Sequence, residues 1–302
     1  MMHAVTADPA PALTLSDRVG VLAAAGCTFA RSRVRLRHGQ DHDIVVVGDA
    51  VVYRFPRHEV ARRSLPREIL ALDRLAALSP QVGIVLPEVV HRGQETEPLG
   101  RAFVGQRYLP GEPLRPESVA ALGALSFRYA ADLARVLAAL WRVEVTPDVA
   151  SVLAAAPVSA SWEEFAAGVR ERLVPLMSEA GRARAEAELD AALGVPAPAE
   201  RRLVHGDFGG ANLRWDADES QLTGVLDWGQ AHLGDPAYDL ASVAATLGWG
   251  FAGVVDDVVE PHDETRLERA RAYAGTFALQ EAYAGAITGD NDVLAAGLAT
   301  YR

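Results

Sequence analysis

Apolar and polar positions alternate with two different periods along the chain, and the change of period divides it. From Arg33 to Phe55 the pattern is that of strands: a turn at His38-Gly39-Gln40, an apolar run Ile44–Val47, a Gly48-Asp49 turn and a second run Val51–Phe55. The last two runs predict a hairpin. Ser64-Leu65-Pro66-Arg67-Glu68 then reads as the opening of a helix, because Leu65, Ile69, Leu72, Leu75 and Leu78 recur at helical spacing until Ser79-Pro80 stops them. Extended runs follow at Ile84–Leu86 and Arg101–Tyr108, and Leu109-Pro110-Gly111-Glu112-Pro113 breaks the pattern. Beyond the break helical spacing dominates. Pro116–Val143 predicts one long amphipathic helix, Ser161 an N-cap before Trp162-Glu163-Glu164 with Pro175 as a kink, and Leu267–Ile287 and Asn291–Tyr301 further helices. The nearly uncharged Leu240–Val255 is too short to span a bilayer, which needs about 20 apolar residues, and reads as a buried element. The expected architecture is α+β: a small N-terminal sheet with one helix over residues 13–108, a larger, mainly helical region over 109–302, and a frayed tail over 1–12.

Charge sharpens this division. The formal net charge is −11, yet residues 1–110 carry 14 arginines against 11 acids and residues 111–302 carry 15 against 29. An acidic surface of that kind excludes a phosphate-backbone partner and attracts cations. All 29 basic residues are arginine, so any chemistry that needs lysine is absent or substituted. The lone Cys27 cannot form an internal disulfide, and Met1–Ala12 lacks the basic start and apolar run of a secretory signal, so a cytoplasmic protein with no membrane partner is expected.

The densest chemistry lies in LVHGDFGGANLRWDADESQLTGVLDWGQAHLGDPAYDLA, Leu203–Ala241. Leu213–Trp215 and Leu222–Leu226 predict two short strands around a polar turn, so Asn212 and Asp227 come side by side although fifteen positions apart. An Asp on a loop, an Asn five residues on and a second Asp across a hairpin supply oxygen ligands suited to Mg²⁺, with one carboxylate left to orient an acceptor hydroxyl and take its proton. That combination is what phosphoryl transfer needs.

The run His205-Gly206-Asp207, Asn212, Asp227-Trp228-Gly229 and Gly234-Asp235-Pro236-Ala237-Tyr238-Asp239-Leu240 resembles the signature of the aminoglycoside phosphotransferase family of antibiotic kinases. The resemblance implies a two-lobed protein-kinase-like fold, ATP or GTP as phosphate donor with Mg²⁺, and a small-molecule hydroxyl as acceptor. It implies Asp207 as catalytic base, Asn212 and Asp227 as Mg²⁺ ligands, and His205, Asp235 and Asp239 as residues that hold the loop. Val51–Arg57 followed by Glu68 is similar to the strand and helix that supply the family's phosphate-gripping cation and its acidic partner, with Arg54 where kinase-like folds usually place lysine. Gly39 is the only glycine of the phosphate cover, and Gln106 to Gly111, with Gln106 and Tyr108, forms the hinge expected to hold the base. An aminoglycoside is the expected acceptor. A macrolide is the alternative, to which Trp249 and Phe251 of the apolar stretch would be suited. Two other readings are a nucleotide-binding pseudokinase, suggested by the missing lysine, and a metallohydrolase built on His205, Asp207 and His232.

Overall fold

The computed structural model describes residues 14–30, 33–39, 41–93, 97–121, 126–153, 161–216, 221–259 and 262–302. The tail expected over 1–12, and the predicted turn residues Gln40 and 217–220, lie outside them. By internal contacts the chain forms two units, one comprising the residues up to Pro66 with Val89–Tyr108, the other Arg67–Glu88 with Leu109–Arg302.

The first unit is built on helix α1 (Leu15–Ala24) and the strands β1 (Val34–His38), β2 (His42–Val47) and β3 (Val51–Pro56). Helix α2 (Glu59–Ala76) begins here, and β4 (Val89–His91) and β5 (Val104–Arg107) complete an antiparallel sheet of order β1-β2-β3-β5-β4. The predicted hairpin is present, with Val47 opposite Val51. Thr14 starts α1 with a reciprocal cap, its hydroxyl accepting from Asp17 N–H while the Asp17 carboxylate accepts from Thr14 N–H. Leu22 from α1 packs with Val45, Tyr53, Phe55 and Phe103 in the sheet's core. Asp43, buried in β2, is held by Arg18 and by His38 Nδ1, so its carboxyl lies below the usual range despite burial.

Helix α2 begins five residues earlier than its sequence suggested. His58 supplies the start: its Nδ1 accepts from Ala61 N–H at 3.2 Å, and Pro66 lies inside the helix rather than at its first turn. Ala61, Leu65, Ile69 and Leu72 are all buried, and the continuous apolar stripe holds the helix through the proline.

The second unit contains α3 (Ser79–Val82), β6 (Glu112–Pro113), α4 (Pro116–Ala121), α5 (Ser126–Trp141), α6 (Pro147–Ala150), α7 (Trp162–Arg172) and α8 (Glu179–Gly194). Strands β7 (Arg202–Val204), β8 (Leu213–Asp216), β9 (Gln221–Val225) and β10 (His232–Gly234) follow, then α9 (Ala237–Leu247), α10 (Trp249–Val258), α11 (Arg266–Gly275), α12 (Phe277–Thr288) and α13 (Asn291–Gly297). Of the predicted long helix, α4 and α5 are described, and 122–125 lie outside the described residues. Two predicted single elements are divided. The buried stretch is α9 and α10, broken at Gly248 (φ +89°), and the next helix is α11 and α12, parted at Thr276. Ser161 caps α7 by accepting from Glu164 N–H, and Pro175 lies in a 3-10 turn, Val174–Leu176, after that helix has ended. Ile84–Leu86 is not a strand, although Val85 makes a parallel bridge to Gly224. Phe165, Val169, Leu189, Leu279, Leu298 and Tyr301 form one apolar core of this helical region.

Candidate active site

Two antiparallel pairings place the loop of interest. β7 pairs with β10, Val204 opposite His232, and β8 pairs with β9, Leu213 opposite Val225. Residues 205–212 leave one ribbon and enter the other, and Leu226–Ala231 return from the second to the first. The join is closed by Leu226 N–H donating to Asn212 O at 2.8 Å, so Asn212 and Asp227 flank one backbone hydrogen bond.

Asn212 Nδ2 donates to Asp207 Oδ2 at 2.7 Å and to Asp207 O at 3.0 Å, which turns its amide oxygen away from the aspartate. Crowding at the loop pushes the Asp207 carboxyl above its usual range, the charge of Asp227 adds to this, and the Asn212 hydrogen bond opposes it. Asp227 has a left-handed backbone (φ 59°, ψ 66°) and is alone in this among the described non-glycine residues. Such a conformation costs about 1 kcal/mol or more in a residue with a Cβ, and aspartate tolerates it better than most. Its Oδ1 lies 3.6 Å from where a Cβ at Gly229 would stand, and the Glu68 carboxyl carbon lies 3.9 Å from the same point. Glu68 is buried on α2.

The loop hangs from a buried carboxylate. Asp239, at the start of α9 and fully buried, accepts from His205 N–H (3.1 Å), Gly206 N–H (2.9 Å) and Trp141 Nε1–H (3.2 Å). Burial pushes its carboxyl up while these donors pull it down. The His205 ring is buried beside Trp228, and both its nitrogens are engaged. Nδ1 accepts from Asp207 N–H at 3.1 Å, so Nε2 carries the proton and donates to Leu226 O at 2.9 Å. Burial pushes this imidazole down, keeping it neutral. A metallohydrolase reading thus finds no ring nitrogen of His205 left for a metal. Among the described residues no group of three His, Cys, Asp or Glu side chains is placed to hold an ion.

Gly206 has φ +83°, and a Cβ there would stand 2.4 Å from Gln230 O, so any side chain would both strain the turn and collide with the segment that returns to β10. Thr246 near the end of α9 accepts from Gly210 N–H at 3.0 Å. Asp235 is farther from the chemistry: its carboxylate takes both Nε and NH2 of Arg269 (2.6 and 3.0 Å), Tyr273 O–H (2.9 Å) and Ala237 N–H (3.0 Å). Trp141, Thr246 and Arg269 have no signal in the sequence near the motif; only the packing of α5, α9 and α11 brings them in. Of the two aromatics in the apolar stretch, Phe251 is buried in α10, and Trp249 is 38% exposed with the Arg271 guanidinium over its ring.

In the first unit, Arg54 lies on β3 between Ile44 and Val104, buried, with NH2 3.3 Å from His42 Nδ1. Gly39 N–H donates to His42 O, and its own carbonyl accepts from Arg57, which closes the β1–β2 turn. Gln106 on β5 faces Val52 and Val89 across the sheet, and its buried Nε2 has no hydrogen-bond partner among the described residues. Tyr108 N–H donates to Ala50 O at 2.9 Å.

A small antiparallel sheet, a larger mostly helical lobe and a His-Gly-Asp loop hung from the first turn of a buried helix define a kinase-like phosphotransferase. The chain belongs to the phosphotransferase enzyme family APH, whose model matches residues 32–284. It is 35% identical over 269 residues to the viomycin phosphotransferase of Streptomyces vinaceus, covering 88% of this chain and 92% of that relative. In fold it is similar to the GDP and kanamycin complex of APH(2")-IIIa (TM-score 0.78, 22% identity, 94% of this chain and 96% of the other). It is also similar to the macrolide 2'-phosphotransferase of Brachybacterium faecium (TM-score 0.67, 21% identity, 95% and 98%). Among the described residues no helix is long and apolar enough to cross a membrane.

Proposed function

We propose that this enzyme transfers the γ-phosphate of ATP or GTP to a hydroxyl of a small-molecule antibiotic, with an aminoglycoside as the acceptor class. The observation that carries the reading is the join at Leu226 N–H and Asn212 O, which sets Asp227 beside an asparagine already bonded to Asp207. With Oδ2 occupied by Asn212, Asp207 Oδ1 is the atom that accepts the acceptor's O–H and takes its proton late in a loose transition state. The Asn212 amide oxygen and the Asp227 carboxylate are hard oxygen donors and fit Mg²⁺, which when bound draws charge from the phosphate oxygens. Arg54 serves as the phosphate contact in place of lysine, Glu68 as the family's acidic partner position, Gly39 as the turn of the phosphate cover, and Gln106 and Tyr108 as base contacts. The Gln106 Nε2–H group, which has no partner among the described residues, supports the last role, since a buried donor without an acceptor is costly unless a ligand supplies one. His205, Asp235 and Asp239 act by holding backbone rather than by touching substrate.

A second acceptor, viomycin, is favoured by the 35% identity that extends over most of both chains. The deciding experiment is a coupled assay with Mg²⁺ and ATP or GTP against viomycin, kanamycin, hygromycin B and erythromycin. Phosphate transfer to a cationic member that disappears in Asp207→Asn is expected. Selective turnover of erythromycin would move the acceptor to the macrolides, and no transfer to any hydroxylated antibiotic would sink the proposal.

A further inference from the structure

The second unit contains a cavity of about 350 Å³ that the reaction does not use. It lies along the β7–β10 ribbon, where Arg201, His232 and Gly234 line it, and the His205–Asp207 loop leaves the ribbon after Val204. Asp207, Asn212 and Asp227 are not among its walls. Trp162, from the first turn of α7, and Tyr273, from α11, line it with ring planes parallel within 2° and centroids 5.2 Å apart, and Tyr238 adds a third ring.

His232 gives this cavity a polar anchor. The residue is 4% exposed. Its Nδ1 lies 2.8 Å from Gln230 O, and a carbonyl only accepts, so Nδ1 carries the proton and Nε2 presents a bare lone pair. That nitrogen has no hydrogen-bond partner among the described residues, and burial keeps the ring neutral. It faces Gly234, where a Cβ would stand only 2.5 Å away. Only a glycine at 234 leaves room for the imidazole at this wall of the cavity. Glu163, Asp235 and Arg201 also line the space; Asp235 is matched by Arg269, so Glu163 and Arg201, of opposite sign, are the charges left to a ligand.

We propose that this cavity is a second ligand site, separate from the phosphotransfer centre, for a single hydroxylated ring such as a pyranose or a cyclitol. One C–H face of the ring lies against the stacked aromatic pair, one hydroxyl donates to His232 Nε2, and Glu163 and Arg201 take others. The volume is at the low end of the roughly 300–1,000 Å³ typical of ligand pockets, which suits one ring rather than several.

The test uses the full chain without nucleotide, so its result is independent of the kinase reading. Methyl α-D-glucopyranoside, myo-inositol and phenol are titrated by calorimetry and by following the ¹⁵N resonances of the His232 ring. Binding of a polyol that moves the Nε2 signal is expected, weakened at least about fivefold in His232→Leu, the loss of one buried hydrogen bond. A similar loss in Trp162→Leu, whose site is only half-buried, guards against a His232 variant that fails to fold. Asp207→Asn should bind as the wild type does. The proposal is overturned if neither polyol moves the His232 signal, if phenol alone does so, or if Asp207→Asn abolishes binding.

Discussion

Asp207 is a carboxylate that the fold makes uncomfortable. The protein packed around its loop and the like charge of Asp227 push the carboxyl up, although the side chain is open to solvent. A base must be ionised, so kcat/KM is expected to fall as pH drops through an apparent pKa above the ordinary aspartate range; an acid limb at the ordinary value would contradict this. The sign for stability is opposite. Between the ordinary and the raised value the folded state binds more protons than the unfolded, so stability declines as pH rises through that window. Asp207→Asn removes this burden and is expected to melt higher at neutral pH while losing roughly 10²–10⁴ in turnover, the usual contribution of a general base. Arg54 presents a different question. Its guanidinium already has His42 beside it, and a planar fork is not replaced by a compact ammonium. Arg54→Lys should therefore raise the KM for the nucleotide in an enzyme whose wild type turns over. Activity that appeared only in the lysine variant would instead restore the pseudokinase reading.

At the scale of elements, the catalytic loop is a short segment suspended between two ribbons, and Asp239 is its suspension point. An aspartate there accepts three N–H groups, whereas asparagine would turn an NH₂ toward at least one of them. Asp239→Asn is expected to cost about 2–3 kcal/mol in urea unfolding, the size of lost bonds to a charged acceptor together with a stranded donor. A variant as stable as wild type would mean the loop does not depend on this carboxylate. The same loop explains what the amino-acid order could reveal. Asn212 and Asp227 are legible as neighbours because β8 and β9, close together in the chain, pair with each other, and local pairing follows from local pattern. Trp141 lies 98 residues from Asp239 and Arg269 lies 34 from Asp235, so only tertiary packing pairs them. Helix α2 was misread at its start because histidine is not among the usual capping residues, and Pro66 imitated a first-turn proline. Leu267–Ile287 reads as one helical stretch because its apolar spacing persists across Thr276, where a single turn residue parts α11 from α12.

Across the whole molecule the charge is distributed unevenly, and the imbalance bears on the acceptor. Residues 111–302 hold fourteen more acids than arginines, while the preceding 110 hold three more arginines than acids. Several of those acids are internally matched: Arg269 takes Asp235 and Asp263, and Arg266 takes Asp256 in a buried pair. Many of the rest are exposed and create a field that raises the local concentration of a polycation without contacting it. Such a field is screened over about 8 Å at physiological ionic strength, so its contribution is removable by salt. The kcat/KM for a cationic aminoglycoside should then fall steadily as sodium chloride is raised, chiefly through KM, whereas kcat at saturation changes little. A less charged acceptor such as a macrolide, if it is turned over at all, should show a much flatter dependence under the same conditions. Equal salt sensitivity for both would mean that the acidic surface plays no part in choosing the acceptor, and that selection rests on contacts beside Asp207 alone.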